Sequence, residues 1–168
     1  MSTRTLVSVE EYLSSTYEPD CDYVDGQLEE RNVGEWNHSR LQGKICALLM
    51  SRYESRGILV APELRIRVTP ARFRIPDICV FLSDPGERVP SKPPLLCVEI
   101  LSPEDRMSRV EARINDYLAM GVPYVWVLDP ETNQAYTATP AEGLREVKSG
   151  ALQTQDPVLE LPLSDVLR

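Results

Sequence analysis

The chain has 168 residues, of which 42% are hydrophobic and 26% charged, and its formal net charge is −8 at pH 7. This length and composition predict a single folded domain, residues 1–168, and exclude a largely disordered chain. The acidic balance excludes binding of nucleic acid through a broadly basic surface, so any contact with DNA has to be local.

The location and redox state of the protein follow from what its sequence lacks. No apolar stretch approaches the ~20 residues that cross a bilayer, and the N-terminus has no leader pattern, so we expect a cytoplasmic protein without a membrane partner. The cysteines are widely spaced, which predicts neither a disulfide framework nor a zinc site. They are Cys21, Cys46, Cys79 and Cys97.

The N-terminal part of the chain predicts a short helix followed by a hairpin. Residues 7–15 have an amphipathic pattern, with Ser8 as the N-cap and Glu11 three residues later. Asp25–Gly26, in the middle of residues 23–28, is the typical signal of a tight turn between two short strands.

A longer helix is predicted from Trp36 to about Tyr53, because apolar residues recur there at helical spacing. His38 falls on the buried face of this helix. Lys44 lies six residues further along, which places it on the solvent side.

Three strands and a helix should follow. The strands are predicted at 58–68, 73–82 and 95–101 from their β-branched apolar content. The helix should open with Ser102 as its N-cap and Pro103 in its first turn. Its buried stripe comprises Met107, Val110, Ile114, Tyr117 and Leu118, and Gly121 ends it.

The last part of the chain predicts strands. A buried strand is expected at 124–128, weaker strands at 135–139 and 144–148, and a terminal segment at 159–166 that docks on the sheet. The fold class is therefore α/β, with a core of helix, three strands, helix and strand, preceded by a helix and a hairpin.

Two carboxylates, Asp77 and Glu99, interrupt apolar strands. If the strands are neighbours, both side chains can face one point. Buried carboxylates must be paired, neutralised or bound to a cation, and oxygen ligands favour Mg²⁺ or Mn²⁺. The alternative is structural: Asp77 would cap backbone amides and Glu99 would pair with an arginine such as Arg65 or Arg67.

The residues around these carboxylates resemble the PD-(D/E)XK nuclease superfamily and, more narrowly, the Uma-type family of restriction endonucleases. Ile75–Pro76–Asp77, then Glu99 followed by Ile100–Leu101–Ser102–Pro103, carry the resemblance, together with residues 117–130. It extends back to residues 23–26 and His38. The resemblance implies a restriction-endonuclease-like core.

The resemblance also implies a site. Asp77, Glu99 and the main-chain carbonyl of Ile100 would bind Mg²⁺, which activates water for attack on a phosphodiester. The superfamily's usual lysine is replaced by Leu101, and the substituting position in the next helix is occupied by Arg113. Arginine stays protonated, so it can stabilise developing charge but cannot act as a general base.

Other residues are weaker candidates. His38 is either a catalytic residue or an ordinary boundary histidine. The stripe Arg106, Arg109 and Arg113 either contacts phosphate or forms a solvated face. Glu35 and Glu63 could each add a ligand.

The leading hypothesis is a Mg²⁺-dependent DNA endonuclease that forms a homodimer, as enzymes that cut both strands do. The alternatives are a catalytically degenerate nuclease-fold domain that binds or regulates, and a phosphoesterase of small substrates.

Overall fold

The computed structural model describes residues 5–167, and residues 1–4 and 168 of the predicted domain lie outside this range. The helices are α1 (Val9–Ser14), α2 (Trp36–Tyr53), α3 (Met107–Met120) and α4 (Leu163–Val166). The strands are β1 (Cys21–Val24), β2 (Gln27–Glu30), β3 (Leu59–Pro62), β4 (Ile66–Thr69), β5 (Arg72–Arg74), β6 (Ile78–Phe81), β7 (Leu96–Ile100), β8 (Tyr124–Asp129), β9 (Gln134–Thr139), β10 (Gly143–Glu146), β11 (Ala151–Gln153) and β12 (Glu160–Pro162).

The strands form two main sheets. The small sheet has the order β2-β1-β5-β4, and the large sheet has the order β10-β9-β8-β7-β6-β3. Strands β7 and β8 run parallel, whereas β6 and β7 run antiparallel. A parallel pair needs a crossover connection, and α3 provides it. The fold is thus the predicted α/β class.

The N-terminal helix and hairpin form as predicted. Ser8 Oγ accepts the amide of Glu11 at 3.1 Å, which satisfies one of the free donors at the start of α1. Asp25 and Gly26 both have positive φ, 50° and 91°. Positive φ at both central residues is what a tight hairpin turn of this kind requires.

The large sheet is covered on both faces. Helix α2 coincides with its predicted bounds, and its Leu41 and Ile45 join the core of one face. Residues of α3, including Ile114, form the core of the other face with Cys79 and Cys97. Alternation along β7 therefore directs Val98 and Ile100 toward α2, and Cys97 and Glu99 toward α3.

Two segments that were each predicted to be one continuous strand are divided into two strands. Residues 58–68 divide into β3 and β4, which belong to different sheets, because the chain turns after Pro62 at Glu63, where φ is 50°. Residues 73–82 divide into β5 and β6 at Pro76, which lacks an amide for a sheet ladder. The short crossover 75–77 consequently links the small sheet to the large one.

The predicted start of the second long helix is also wrong. Helix α3 begins at Met107, and Ser102 does not cap it. Instead Asp105 Oδ2 accepts the amide of Ser102 at 2.8 Å, and the amide of Asp105 donates to the Ser102 carbonyl at 2.9 Å. These bonds close a turn in place of the first helical turn. Met107 is 49% exposed and does not join the buried stripe, whereas Gly121 ends the helix as predicted.

The C-terminal segment docks as predicted, with Leu159, Leu161 and Val166 in the core beside α2. All four cysteines are free thiols. Across residues 5–167, every helix is too short or too polar to cross a membrane.

Candidate active site

Asp77 and Glu99 lie at the same end of two neighbouring strands. Ile78 pairs with Val98 across β6 and β7, and continuing this antiparallel register by one residue sets Asp77 opposite Glu99. Asp77 lies one residue before β6 rather than within it. Both share the face of Cys79 and Cys97, and their exposed fractions are 2% and 1%.

Both oxygens of Asp77 have partners. Oδ1 accepts a hydrogen bond from Arg31 Nη2 at 2.9 Å and lies 3.4 Å from His38 Nε2. Oδ2 accepts the amide of Ile100 at 2.6 Å. This last bond ties the crossover 75–77 to the end of β7. It also realises the amide capping that the structural alternative predicted.

Glu99 is held by α3. The hydroxyl of Tyr117 donates to Oε1, and Arg113 Nε lies 3.0 Å from Oε2 as an ion pair. Arg113 also reaches Asp105 at 3.4 Å. Glu99 therefore pairs with an arginine, as the structural alternative predicted. The two examples named for it are wrong, because Arg65 lies over the ring of Tyr12 and Arg67 over that of Phe73.

The two carboxyl groups differ in the direction of their pKa shifts. Burial raises the pKa of Asp77, but the bond from His38 and the charge of Arg31 outweigh it and leave the pKa below its ordinary value. Burial raises the pKa of Glu99, Asp77 raises it further, and Arg113 opposes the rise without cancelling it. Asp77 is therefore the group that ionises first.

His38 is drawn toward its charged form. Burial lowers the pKa of its imidazole, but the bond and charge of Asp77 outweigh burial and raise the pKa above its ordinary value. Helix α2 supplies this side chain because His38 falls in its first turn, on the side that faces the sheet.

These groups open into one polar cleft of about 30 Å³, which we call the niche. That volume can hold a water or two, or an ion. Six carboxylates line it against three guanidinium groups and one imidazole. The lining residues are Asp22, Glu29, Glu30, Arg31, Asn32, His38, Asp77, Glu99, Ile100, Ser102, Asp105, Arg109 and Arg113.

The niche fits a hard cation in donor type and charge, although residues 5–167 contain no group of three or more His, Cys, Asp or Glu side chains that could hold a metal. Two carboxylates and a carbonyl suffice for Mg²⁺, which keeps several waters. His38 Nδ1 is buried without a hydrogen-bond partner, whereas Arg113 Nε, which also lacks a hydrogen bond, is in ion-pair contact with Glu99 Oε2. A buried atom such as His38 Nδ1 requires a partner, which water or substrate can provide.

Of the weaker candidates Arg106, Arg109, Glu35 and Glu63, only Arg109 lines the niche. Arg109 lines the niche and donates to the Glu30 carbonyl at 3.5 Å, whereas Arg106 precedes α3. Glu35 precedes α2 and Glu63 is 3.4 Å from Gln42, and neither residue lines the niche.

Sequence reasoning missed three contributors: Arg31, Asp22 and the hydroxyl of Tyr117. Arg31 and Asp22 belong to the hairpin and carry no local signal, because their partners lie far along the chain. Tyr117 did carry a signal in the sequence, because a tyrosine hydroxyl in a buried helical stripe needs a hydrogen-bond acceptor.

Comparisons with known proteins agree with this fold. Residues 9–167 match the model of a family described as "Uma2: Putative restriction endonuclease". A solved structure described as a putative nuclease of DUF820, from Anabaena variabilis ATCC 29413, superposes with a TM-score of 0.83 at 22% identity, covering 95% of this chain and 97% of that one. At this identity the likeness shows a shared fold. No curated protein matches the chain. The predicted fold class and family resemblance are thereby confirmed.

Proposed function

This chain belongs to the Uma2 family of putative restriction endonucleases, and from that membership and the niche we propose that it is a Mg²⁺-dependent endonuclease that hydrolyses DNA phosphodiesters. One observation carries the proposal: two buried carboxylates, Asp77 and Glu99, stand opposite each other at strand ends and open into one acidic niche. Neighbouring carboxylates that cannot both ionise cheaply favour a cation between them.

Asp77, Glu99 and the carbonyl of Ile100 would hold Mg²⁺ or Mn²⁺. The bound metal would lower the pKa of water and neutralise charge on the phosphoryl group. The protein orients these ligands through Arg31 and Tyr117, which hold one oxygen each of Asp77 and Glu99. Oriented ligands are the protein's main contribution to such a site.

Arg113 takes the role of a fixed cation. Its guanidinium reaches both Glu99 and Asp105 from α3, and its pKa is raised because the charge of Glu99 outweighs burial. It therefore binds phosphate oxygens and stabilises charge that develops on them, but does not remove a proton from water. Leu101, where the superfamily's lysine usually stands, offers no base.

His38 positions Asp77 and keeps a proton on Nε2. Because Asp77 raises its pKa, the imidazole is charged over more of the neutral range than a free histidine. The charged imidazole can donate that proton to a leaving oxygen at the niche and regain a proton from solvent.

Plasmid nicking tests the proposal. Supercoiled DNA with purified protein should be nicked in Mg²⁺ or Mn²⁺ and not in EDTA, and Asp77→Asn should reduce nicking to background. The matched control is Asp84→Asn, a carboxylate in an exposed loop. Nicking that persists in Asp77→Asn contradicts the proposal. Light scattering tests the expected homodimer.

A second function is favoured by one observation: every oxygen of Asp77 and Glu99 already has a protein partner. Together with Leu101, this suits a nuclease-fold domain that binds or regulates without hydrolysis. Calorimetric titration with Mn²⁺ separates the two. Binding that disappears in Glu99→Ala supports the nuclease, and absence of binding at millimolar Mn²⁺ supports the regulatory domain.

A further inference from the structure

The exposed side of α2 differs in charge from the rest of the chain. Its 18 residues contain Arg40, Lys44 and Arg52 and no Asp or Glu, in a protein with 26 acidic residues. Arg52 is paired with Asp165. Arg40 and Lys44 are exposed and form no ion pair with residues 5–167. Two available cations therefore stand on one helix.

An exposed aromatic residue lies on the same side of α2. Trp36, Arg40 and Lys44 follow i, i+4, i+8 spacing, which places them on one helical face. Trp36 is 76% exposed, and Val33 just before the helix is 73% exposed. A single exposed apolar residue is ordinary, but an indole in line with two unpaired cations combines the features of a nucleic-acid contact. We call this set the α2 stripe.

The α2 stripe lies on the solvent side of the helix that supplies His38 to the niche. His38, two residues after Trp36, enters the niche and contacts Asp77, and two residues correspond to a rotation of about 200° around the helix. A separate cleft of about 160 Å³ is lined by Asn37, Arg40 and Lys44. One acidic residue, Glu131, also lines this cleft, and its Oε1 accepts a hydrogen bond from Asn37 Nδ2 at 2.7 Å.

The other basic segment is not available for substrate. The four arginines between residues 65 and 74 are engaged by aromatic rings or carboxylates within the protein: Arg65 by Tyr12, Arg67 by Phe73, Arg72 by Asp25 and Asp116, and Arg74 by Asp22, Glu29 and Asp116. With a net charge of −8, the protein needs local contacts near the niche.

We propose that the α2 stripe binds one unpaired strand of nucleic acid, with Trp36 stacked on a base and Arg40 and Lys44 on phosphates. An indole needs an open base face, and a paired duplex offers none except at its ends. This inference rests on the proposed function for its choice of ligand. It deepens that function by specifying substrates with a single-stranded segment, such as flaps or frayed ends, over intact duplex.

Tryptophan fluorescence provides a specific measurement. The chain has two tryptophans, and Trp126 is fully buried, so quenching by an added oligonucleotide reports on Trp36. A mixed-sequence 20-mer, single-stranded or as a blunt duplex, is titrated into the full-length protein in EDTA and again in Ca²⁺, where no cleavage is required. The single strand should quench and bind more tightly. Equal affinity for both forms overturns the inference.

Variants separate stacking from charge. Trp36→Ala should weaken single-strand binding by about 5- to 150-fold, the equivalent of ~1–3 kcal/mol per stacked base, and Trp36→Phe should retain most of it. The apolar control is Val33→Ala. Light scattering is run on the same proteins. If Trp36→Ala converts a dimer to a monomer and leaves oligonucleotide binding unchanged, the α2 stripe is an interface between copies and the inference fails.

The charge test uses Arg40→Gln with Lys44→Gln. Removing two phosphate contacts should flatten the slope of log K against log salt by about 1.4, at ~0.7 per contact for single strands. The matched control is Arg88→Gln with Lys92→Gln, which removes the same amount of charge. These residues are exposed and follow the C-terminal end of β6, whereas Asp77 precedes its N-terminal end. Equal loss in both pairs overturns the inference.

The two proposals can fail separately. Plasmid nicking without single-strand binding contradicts the α2 stripe and leaves the nuclease intact. Single-strand binding that depends on Trp36 without any nicking supports the stripe and contradicts the nuclease.

Discussion

Two arginine–carboxylate clusters adjoin in this protein and share Asp22 and Glu29, but they differ in character. In the first, which we call the sealed network, Arg74 is 3% exposed and bonds Asp116 at 2.7 Å, Glu29 at 2.8 Å and Asp22 at 3.1 Å. In the niche, Arg113 approaches Glu99, whose pKa is nevertheless raised. Buried charge alone does not mark a site. What distinguishes the niche is a pair of carboxyl groups at its opening, of which one has a lowered pKa and the other a raised pKa.

The largest contrast should be in stability. Arg74→Met leaves the buried Asp22 and the partly buried Asp116 beside an apolar chain, and we expect a loss of ~3–5 kcal/mol in the free energy of unfolding by urea. Arg72→Met removes a half-exposed arginine and should cost less than ~1 kcal/mol. Equal losses would show that the sealed network does not depend on burial.

A smaller effect is expected at the link between α3 and β7. Tyr117→Phe removes the hydroxyl that donates to Glu99, which should lower the free energy of unfolding by roughly 1–3 kcal/mol. It should also weaken Mn²⁺ binding, because the carboxylate loses a bond that favours its ionised form. Tyr17→Phe is the control. Unchanged Mn²⁺ affinity in Tyr117→Phe contradicts the positioning role.

Glu99→Gln should have a pH-dependent effect on stability in EDTA. The folded-state pKa of Glu99 is raised, so its favourable contribution is complete below its unfolded pKa, about 4.3, and is lost as pH rises through the folded value. Glutamine does not titrate. The variant's stability relative to wild type should therefore improve as the pH rises from 4 to 8. A relative loss over this range refutes the assignment.

The smallest effect is a shift in one titration curve. His38 is the single histidine, so its imidazole signals in NMR are unambiguous. In EDTA it should titrate above about 6.5, the ordinary value, because Asp77 favours the charged ring. Mg²⁺ should lower that pKa by competing for Asp77. In Asp77→Asn burial remains without the carboxylate, so the pKa should fall and no longer respond to Mg²⁺.

Local signals in the sequence predicted most of the elements. The apolar spacing of α2, the Asp25–Gly26 turn and the buried run of β8 each depend on neighbours within a few residues, and each formed where expected. The prediction that α3 starts at Ser102 was wrong because the amide of Asp105, which a capping Ser102 side chain would accept, donates to the Ser102 carbonyl instead. The capping pattern was present, but a tighter turn used its donor.

The candidate site was predictable only in part. Asp77 and Glu99 could be identified because each is an acid in an apolar setting, and the register between β6 and β7 brings them together. Arg31 could not, since it follows an ordinary hairpin strand and meets Asp77 46 residues later. Contacts between the two sheets leave no periodic trace in the sequence.

The crossover 75–77 has a mechanical consequence. It leaves the small sheet at Arg74, which is anchored in the sealed network, and delivers Asp77 to the large sheet three residues later. A displacement of the small sheet would pull on Asp77, which the amide of Ile100 ties to the end of β7 beside Glu99. At the proposed metal site, a resulting change in the gap between the two acids would favour Ca²⁺ over Mg²⁺, because Ca²⁺ tolerates departures from octahedral geometry and Mg²⁺ does not.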